Sequence, residues 1–123
     1  MLDRPDAREL LLTARQTLLE RLLPALPEAQ RYDALMVSNA LAIAVREVEL
    51  DAPAAHRERA ALADLLGATG QGLDLPELRR VLGSHIRLGM FDHARRDELM
   101  AVLHASVEAR LAISNPKLLA AGD

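Results

Sequence analysis

Four histidines, His56, His85, His93 and His104, are the side chains best suited to acid–base or metal chemistry near neutral pH. No two of them are three or four residues apart, and no His-Glu-x-x-His pattern occurs, so a mononuclear zinc site has no support. The nearest approach to the Glu-x-x-His of a di-iron carboxylate bundle is the reversed His104-x-x-x-Glu108, a poor match. The chain has no cysteine, which removes thiolate ligands, disulfides and cysteine nucleophiles together. Ser38, Ser84, Ser106 and Ser114 fall on helical segments, with no nucleophile elbow and no adjacent His–Asp pattern. The segment Gly67-Ala-Thr-Gly70-Gln-Gly72 is rich in glycine. No strand precedes it and no Gly-Lys-Ser/Thr follows, so it is not a phosphate cradle. Acidic pairs such as Glu47 with Glu49 or Asp97 with Glu98 read as solvated helix faces. His85 remains, in the middle of the face formed by Leu78, Val81, Leu82 and Ile86. Its simplest reading is a half-buried imidazole bonded to a backbone carbonyl; no catalytic residue, metal or cofactor is expected.

The more informative polar residues lie among apolar ones. Asn39 and Arg46 are seven apart and share one stripe of a helix, flanked by Ser38, Ala42 and Glu49. Arg110 falls between Leu99 and Leu103 on the wheel of a later helix, a core-facing position. A charge aimed at a core must be paired or hydrogen-bonded, because an unpaired one costs several kcal/mol, on the order of 3–5. Two readings stay open. Asn39, Arg46 and Arg110 form a polar lock that fixes helix register, or they floor a groove that receives a partner's carboxylate, phosphate or peptide. Arg79, Arg80 and Arg87 make a second, smaller basic cluster that reads as solvated surface.

The elements that must hold these residues are helices. Leu and Ala supply 25 and 22 of the 123 residues, against 12 for Val, Ile and Thr together, a balance that favours helix over strand. The expected fold is all-α: a single-domain bundle of about five helices over residues 1–123, with an ordered core from about 4 to 116 and a tail over 117–123. The first helix is expected from Pro5 to Leu23, capped by Asp3, with an apolar stripe of Ala7, Leu11, Ala14, Leu18 and Leu22. A second, Glu28 to Leu50, is apolar round most of its circumference between Ala34 and Val45, which marks it as the hub. Asp51-Ala52-Pro53 is expected to cap a third helix ending near Leu66, before a flexible loop from Gly67 to Gly72. Asp74-Leu75-Pro76-Glu77 has the form of a capping box opening a fourth helix, which Gly89 stops. A fifth runs from His93 to Ser114 and closes at Asn115-Pro116. The first, second and fifth helices are expected to make the core.

Charge and hydropathy narrow the partners. The formal charge of −3 is well mixed, and one Tyr, one Phe and no Trp leave almost nothing for bases to stack on, so nucleic acid is not an expected ligand. The longest nearly apolar run, Ala34 to Val45, is too short to span a bilayer, which takes about 20 residues. The opening Met-Leu-Asp-Arg-Pro-Asp has no apolar h-region, and the expected location is the cytoplasm. Leftover apolar positions, Val102, Ile113 and Leu118, suit a homodimer contact.

Several short motifs together resemble a known family. They are Asp3-Arg4-Pro5-Asp6 with Glu9-Leu10-Leu11, the hub stretch Val37-Ser38-Asn39-Ala40-Leu41-Ala42-Ile43 with Arg46-Glu47, Ile86-Arg87-x-Gly89 with Asp92, and Leu111-Ala112-Ile113-Ser114-Asn115-Pro116. Their order and spacing resemble a bacterial family of short helical proteins classed as a domain of unknown function. The resemblance implies genes set beside aminoglycoside-phosphotransferase-like kinases and acyl-CoA dehydrogenases. It therefore implies an accessory or interaction protein in acyl-CoA catabolism, and it carries over no catalytic residues. The expected contact residues are Asn39, Arg46 and Arg110, with Arg4 and Asn115 next. The alternative is a module binding an acyl chain or acyl-CoA in a pocket between the second, fourth and fifth helices, with His85 or Arg110 at its neck. An enzyme pairing His85 with a carboxylate from another helix is a third reading.

Overall fold

The computed structural model describes residues 6–121, and the described residues contain helices and turns but no strand. Five α-helices follow in order: α1 (Ala7–Thr17), α2 (Glu28–Leu66), α3 (Leu75–Arg87), α4 (Arg96–Ser114) and α5 (Pro116–Ala121). The all-α bundle expected from composition is therefore present, and the second helix is the element that contacts the others most. The chain divides into two compact units, Met1–Asp51 and Ala52–Asp123.

In the first unit, Asp6 caps α1 by accepting a bond from the Glu9 amide at 2.9 Å. The expected cap, Asp3, lies outside the described residues, as do Arg4 and Pro5. Past Thr17 the helix widens into one π turn, Leu18–Leu22, and then tightens into a 3-10 turn, Leu23–Ala25. The cause is Pro24. Its nitrogen cannot donate to the Glu20 carbonyl, and the widened turn instead closes with the Leu23 amide on the Leu18 carbonyl. The first half of α2 lies along α1: Arg15 Nε donates to the Ser38 carbonyl at 3.2 Å, and Arg8 pairs with Glu49. Only Ala34, Ser38 and Val45 are fully buried among the described residues of this unit.

That corrects the expected burial of Ala34 to Val45. Leu35, Met36 and Val37 are each about half exposed, because a single helix beside α2 can cover one of its sides and no more. The hub role belongs to the whole 39-residue helix, not to that stretch. Nor does a third helix begin at Asp51: α2 continues through Pro53 to Leu66 without a break. The proline removes one i to i−4 bond, from position 53 to the Glu49 carbonyl, and the flanking helix persists on both sides of the gap.

The core is in the second unit. Leu62, Leu65 and Leu66 from the end of α2, Leu78 and Leu82 from α3, Phe91 from the connecting turn and Leu99 from α4 form one buried cluster. The expectation that the first, second and fifth predicted helices build the core fails here, since α1 contributes no buried residue. Leu73, Leu75, Val81 and Val102 pack against the cluster, so Val102 is no leftover position. Instead of a flexible loop, Gly67–Gly70 is a 3-10 turn, with Thr69 Oγ1 donating to the Leu66 carbonyl at 2.7 Å. Gly70 is buried in it. A Cβ there would stand 2.9 Å from Leu78 Cδ2 and 3.1 Å from Leu66 Cβ, so any larger residue would require those two leucines to shift.

The capping box of α3 forms as its sequence predicts, with the Glu77 amide on Asp74 Oδ1 at 2.9 Å and the Asp74 amide on Glu77 Oε1 at 3.2 Å. Gly89, at φ 78°, follows the helix end at Leu88. α4 starts at Arg96, three residues later than expected, because the turn before it folds inward to bury Phe91. Asn115 closes α4 with its backbone out of the helical region, and Pro116, pre-set for a first helical turn, starts α5 inside the expected tail.

Candidate functional site

Small side chains at helical spacing make the concave feature of the second unit. Ala54 and Ala61 are seven apart on α2, and Ala105, Ala109 and Ala112 lie four and three apart on α4. Each set therefore forms a stripe on one side of its helix. Between them runs an open groove of about 490 Å³, completed by Val102 and Ser106 of α4 and by Leu119 of α5. Arg57, Glu58 and Glu108 supply its charged lining. The walls are thus mostly methyl and methylene groups, with opposite charges interspersed.

Glu58 is held on the α2 wall by a bidentate pair with Arg79 of α3, Nε to Oε1 at 2.9 Å and Nη2 to Oε2 at 2.8 Å. The Arg79 hydrogen bonds hold the Glu58 carboxyl below its usual range. Partial burial opposes them, and the charges of Arg79 and Arg110 add to the lowering. The pair ties α2 to α3 and fixes one edge of the groove.

Arg95 fixes the other end of α2. Its Nη1 donates to the Leu65 carbonyl at 2.7 Å, one of the last-turn acceptors that the helix cannot satisfy itself. Its Nε and Nη2 both reach Glu98 Oε2, at 3.2 and 2.7 Å, which raises the arginine's affinity for its proton and lowers that of Glu98. The backbone of Arg95 sits at φ 59°, a left-handed conformation that only glycine adopts readily. Nothing in the sequence marked this residue. The alanine spacing could have marked the groove.

The sequence-predicted residues are placed differently. Asn39 is exposed on α2 and Arg46 is half-buried seven residues further along, both in the first unit. Arg110 is exposed on α4 in the second unit, beside Glu58 and not in a core. The polar lock with all three facing a core is therefore not the arrangement, because Asn39 and Arg110 keep their heads in water. Arg4 lies outside the described residues, and Asn115 is exposed at the end of α4. His85 is half-buried in the last turn of α3, without the expected bond to a backbone carbonyl among the described residues. Neither His85 nor Arg110 lines the groove. It lies between the 54–61 stretch of α2, α4 and α5, and so is a different site from the pocket expected between the second, fourth and fifth predicted helices.

Fold and groove together define an all-α protein with an open groove walled mostly by small residues. Among the described residues, no three His, Asp or Glu side chains gather as a metal site, and no helix is long and apolar enough to cross a membrane. The family model for a domain of unknown function, DUF6285, matches residues 24–118, and the chain belongs to that family. No curated protein and no solved structure matches the chain.

Proposed function

We propose that the chain is a non-catalytic accessory protein that acts by binding another protein, with the α2–α4 groove as the contact surface. The observation that carries this reading is the groove itself: alanine walls that let a partner's backbone approach closely, and charges of both signs on the rim. The partner class is a phosphotransferase-like kinase or an acyl-CoA dehydrogenase of bacterial acyl-CoA catabolism in the cytoplasm. Support for that class comes from the family resemblance, not from the geometry. The test is titration of the labelled chain with each purified enzyme from the same genome. Micromolar binding to one of them is expected, weakened at least tenfold by Ala105→Glu, which puts a carboxylate on an exposed part of the groove wall. No binding to either enzyme at about 100 μM, or equal binding by the variant, overturns the proposal.

A second reading rests on the size of the groove. At about 490 Å³ it is in the range of ligand pockets, roughly 300–1,000 Å³, and Arg57 could pair with the head of an acyl chain or acyl-CoA. A rise in melting temperature with acyl-CoA, lost in Arg57→Ala, supports it; a flat profile across chain lengths removes it.

A further inference from the structure

We infer that α5 is a strap on the α2–α4 groove: Leu119 docks between the walls, keeps a partner out while docked, and releases when α5 unfolds. This names how the binding site proposed above is regulated, and it rests on that reading of the groove. The two walls run antiparallel. Leu62, Leu65 and Leu66 of α2 share the buried cluster with Leu99 of α4, and further out Glu58 feels the charge of Arg110. The groove therefore meets the core at its inner end, near Ala61 and Val102, and runs outward to Ala54 and Ala112. α5 leaves α4 at that outer end, and Leu119 is the residue through which it lines the groove. Among the described side chains of α5, Leu119 is also the one that is half-buried; Pro116, Lys117 and Leu118 are exposed. A leucine so placed fills volume that an apolar group of a partner would otherwise take.

Two features make this contact reversible. The first is that α4 ends without help from α5. The Ser114 hydroxyl donates to the Arg110 carbonyl at 3.1 Å and the Asn115 amide to the Leu111 carbonyl at 2.8 Å, which satisfies two acceptors of the last turn. Pro116 has no amide hydrogen, so the joint lacks one of the bonds that would carry α4 on into α5. α5 is free to leave without loosening α4. The second feature is length. Six residues are too few for a helix to persist alone in water, where about 12–15 are needed. α5 is helical because it is docked, and Lys117 adds no ion pair among the described residues. Docking and helix formation are therefore one event, held among the described side chains by the burial of Leu119. A partner that takes the place of Leu119 unfolds the strap, and a docked strap excludes the partner.

Lys117 is the single lysine of the chain, so the lysine-specific protease Lys-C cuts it at one bond, Lys117–Leu118, inside the strap. A docked helix resists the cut, and the cleavage rate reads the fraction of chains with α5 undocked. In the full chain, Leu119→Ala should raise that rate about tenfold or more, with the urea midpoint unchanged because the opening is local. Leu119→Met should keep the native rate, and Leu118→Ala, at an exposed position, should change it less than about twofold. Ala54→Glu, on the α2 wall and outside the strap, should raise the rate as well, and should add little to Leu119→Ala. Anilinonaphthalene sulfonate, with apolar rings and an anionic head, is the probe for the groove. Leu119→Ala should bind it about fivefold tighter or more than the native chain does. Native and Leu119→Ala chains cut at equal rates overturn the inference. So does a rate that Ala54→Glu leaves alone, or a dye affinity that Leu119→Ala leaves unchanged or weakens. None of these readouts involves an enzyme partner. A chain that meets them all and binds neither kinase nor dehydrogenase keeps the strap and loses that partner class; a chain that binds one of them and fails the cleavage test loses the strap alone.

Discussion

At the scale of single residues, two charged side chains of this fold have consequences that can be measured, Arg95 at the end of α2 and Glu58 on its wall. Arg95 does two opposed things: its side chain caps α2 at the Leu65 carbonyl, and its backbone occupies a left-handed conformation at φ 59°. Arg95→Ala loses the cap and keeps the strained backbone, whereas Arg95→Gly loses the cap and relieves the strain. Urea unfolding should therefore rank the native chain first, Arg95→Gly second and Arg95→Ala last; a glycine variant less stable than the alanine one would show that the strain is negligible. Glu58 gives a pH signature. Because Arg79 keeps its carboxyl ionised to lower pH in the fold than in the unfolded chain, its contribution is complete above the ordinary carboxylate range and fades as pH falls through the depressed value. Glu58→Gln should be less stable than the native chain by about 0.5–1 kcal/mol at neutral pH, as expected for a half-exposed arginine partner. That gap should close on acidification below about pH 4. A gap that stays constant from pH 7 to pH 3 would mean that the pair is not what Glu58 contributes.

At the scale of elements, Pro53 sets the question of how α2 stays one helix. A proline in a helix interior costs about 3 kcal/mol relative to alanine, mostly from the missing donor and the clash with the preceding turn. Pro53→Ala should restore the bond to the Glu49 carbonyl and raise the urea midpoint, by up to about 3 kcal/mol of stability, with slower amide exchange over residues 49–57. No gain would mean that this carbonyl is already satisfied. The same proline shows which elements could be read in advance. The Asp74 box and the Gly89 stop depend on neighbours within four residues, and they form as their sequences predict. Pro53 after Asp51 has the local signature of a helix start, and no local rule says that the preceding helix will run through it. The groove was legible only in part, for a related reason. Its alanines point to close approach, but which helix approaches depends on α5, and α5 sits in a segment that reads as a tail. Asn39 and Arg110 were placed facing a core by wheels that assume every helix has neighbours on all sides.

At the scale of the whole molecule, burial is divided unevenly between the two units. The second holds one cluster of seven buried residues drawn from α2, α3, α4 and the turn between the last two. In the first, α1 buries no side chain fully, and its ties to α2 include a carbonyl bond from Arg15 and an exposed ion pair from Arg8. Exposed ion pairs contribute little, at most about 1 kcal/mol, whereas truncating one buried leucine to alanine removes about 2–5 kcal/mol. Local opening should follow that division. Native-state amide exchange is expected to be slowest over residues 62–66, 78–86 and 99–103, and to be fast through α1. The first half of α2 should exchange at an intermediate rate, since only Ala34, Ser38 and Val45 are fully buried among its described residues. α1 and α3 exchanging at the same rate would show that the first unit draws its stability from something other than its own thin core.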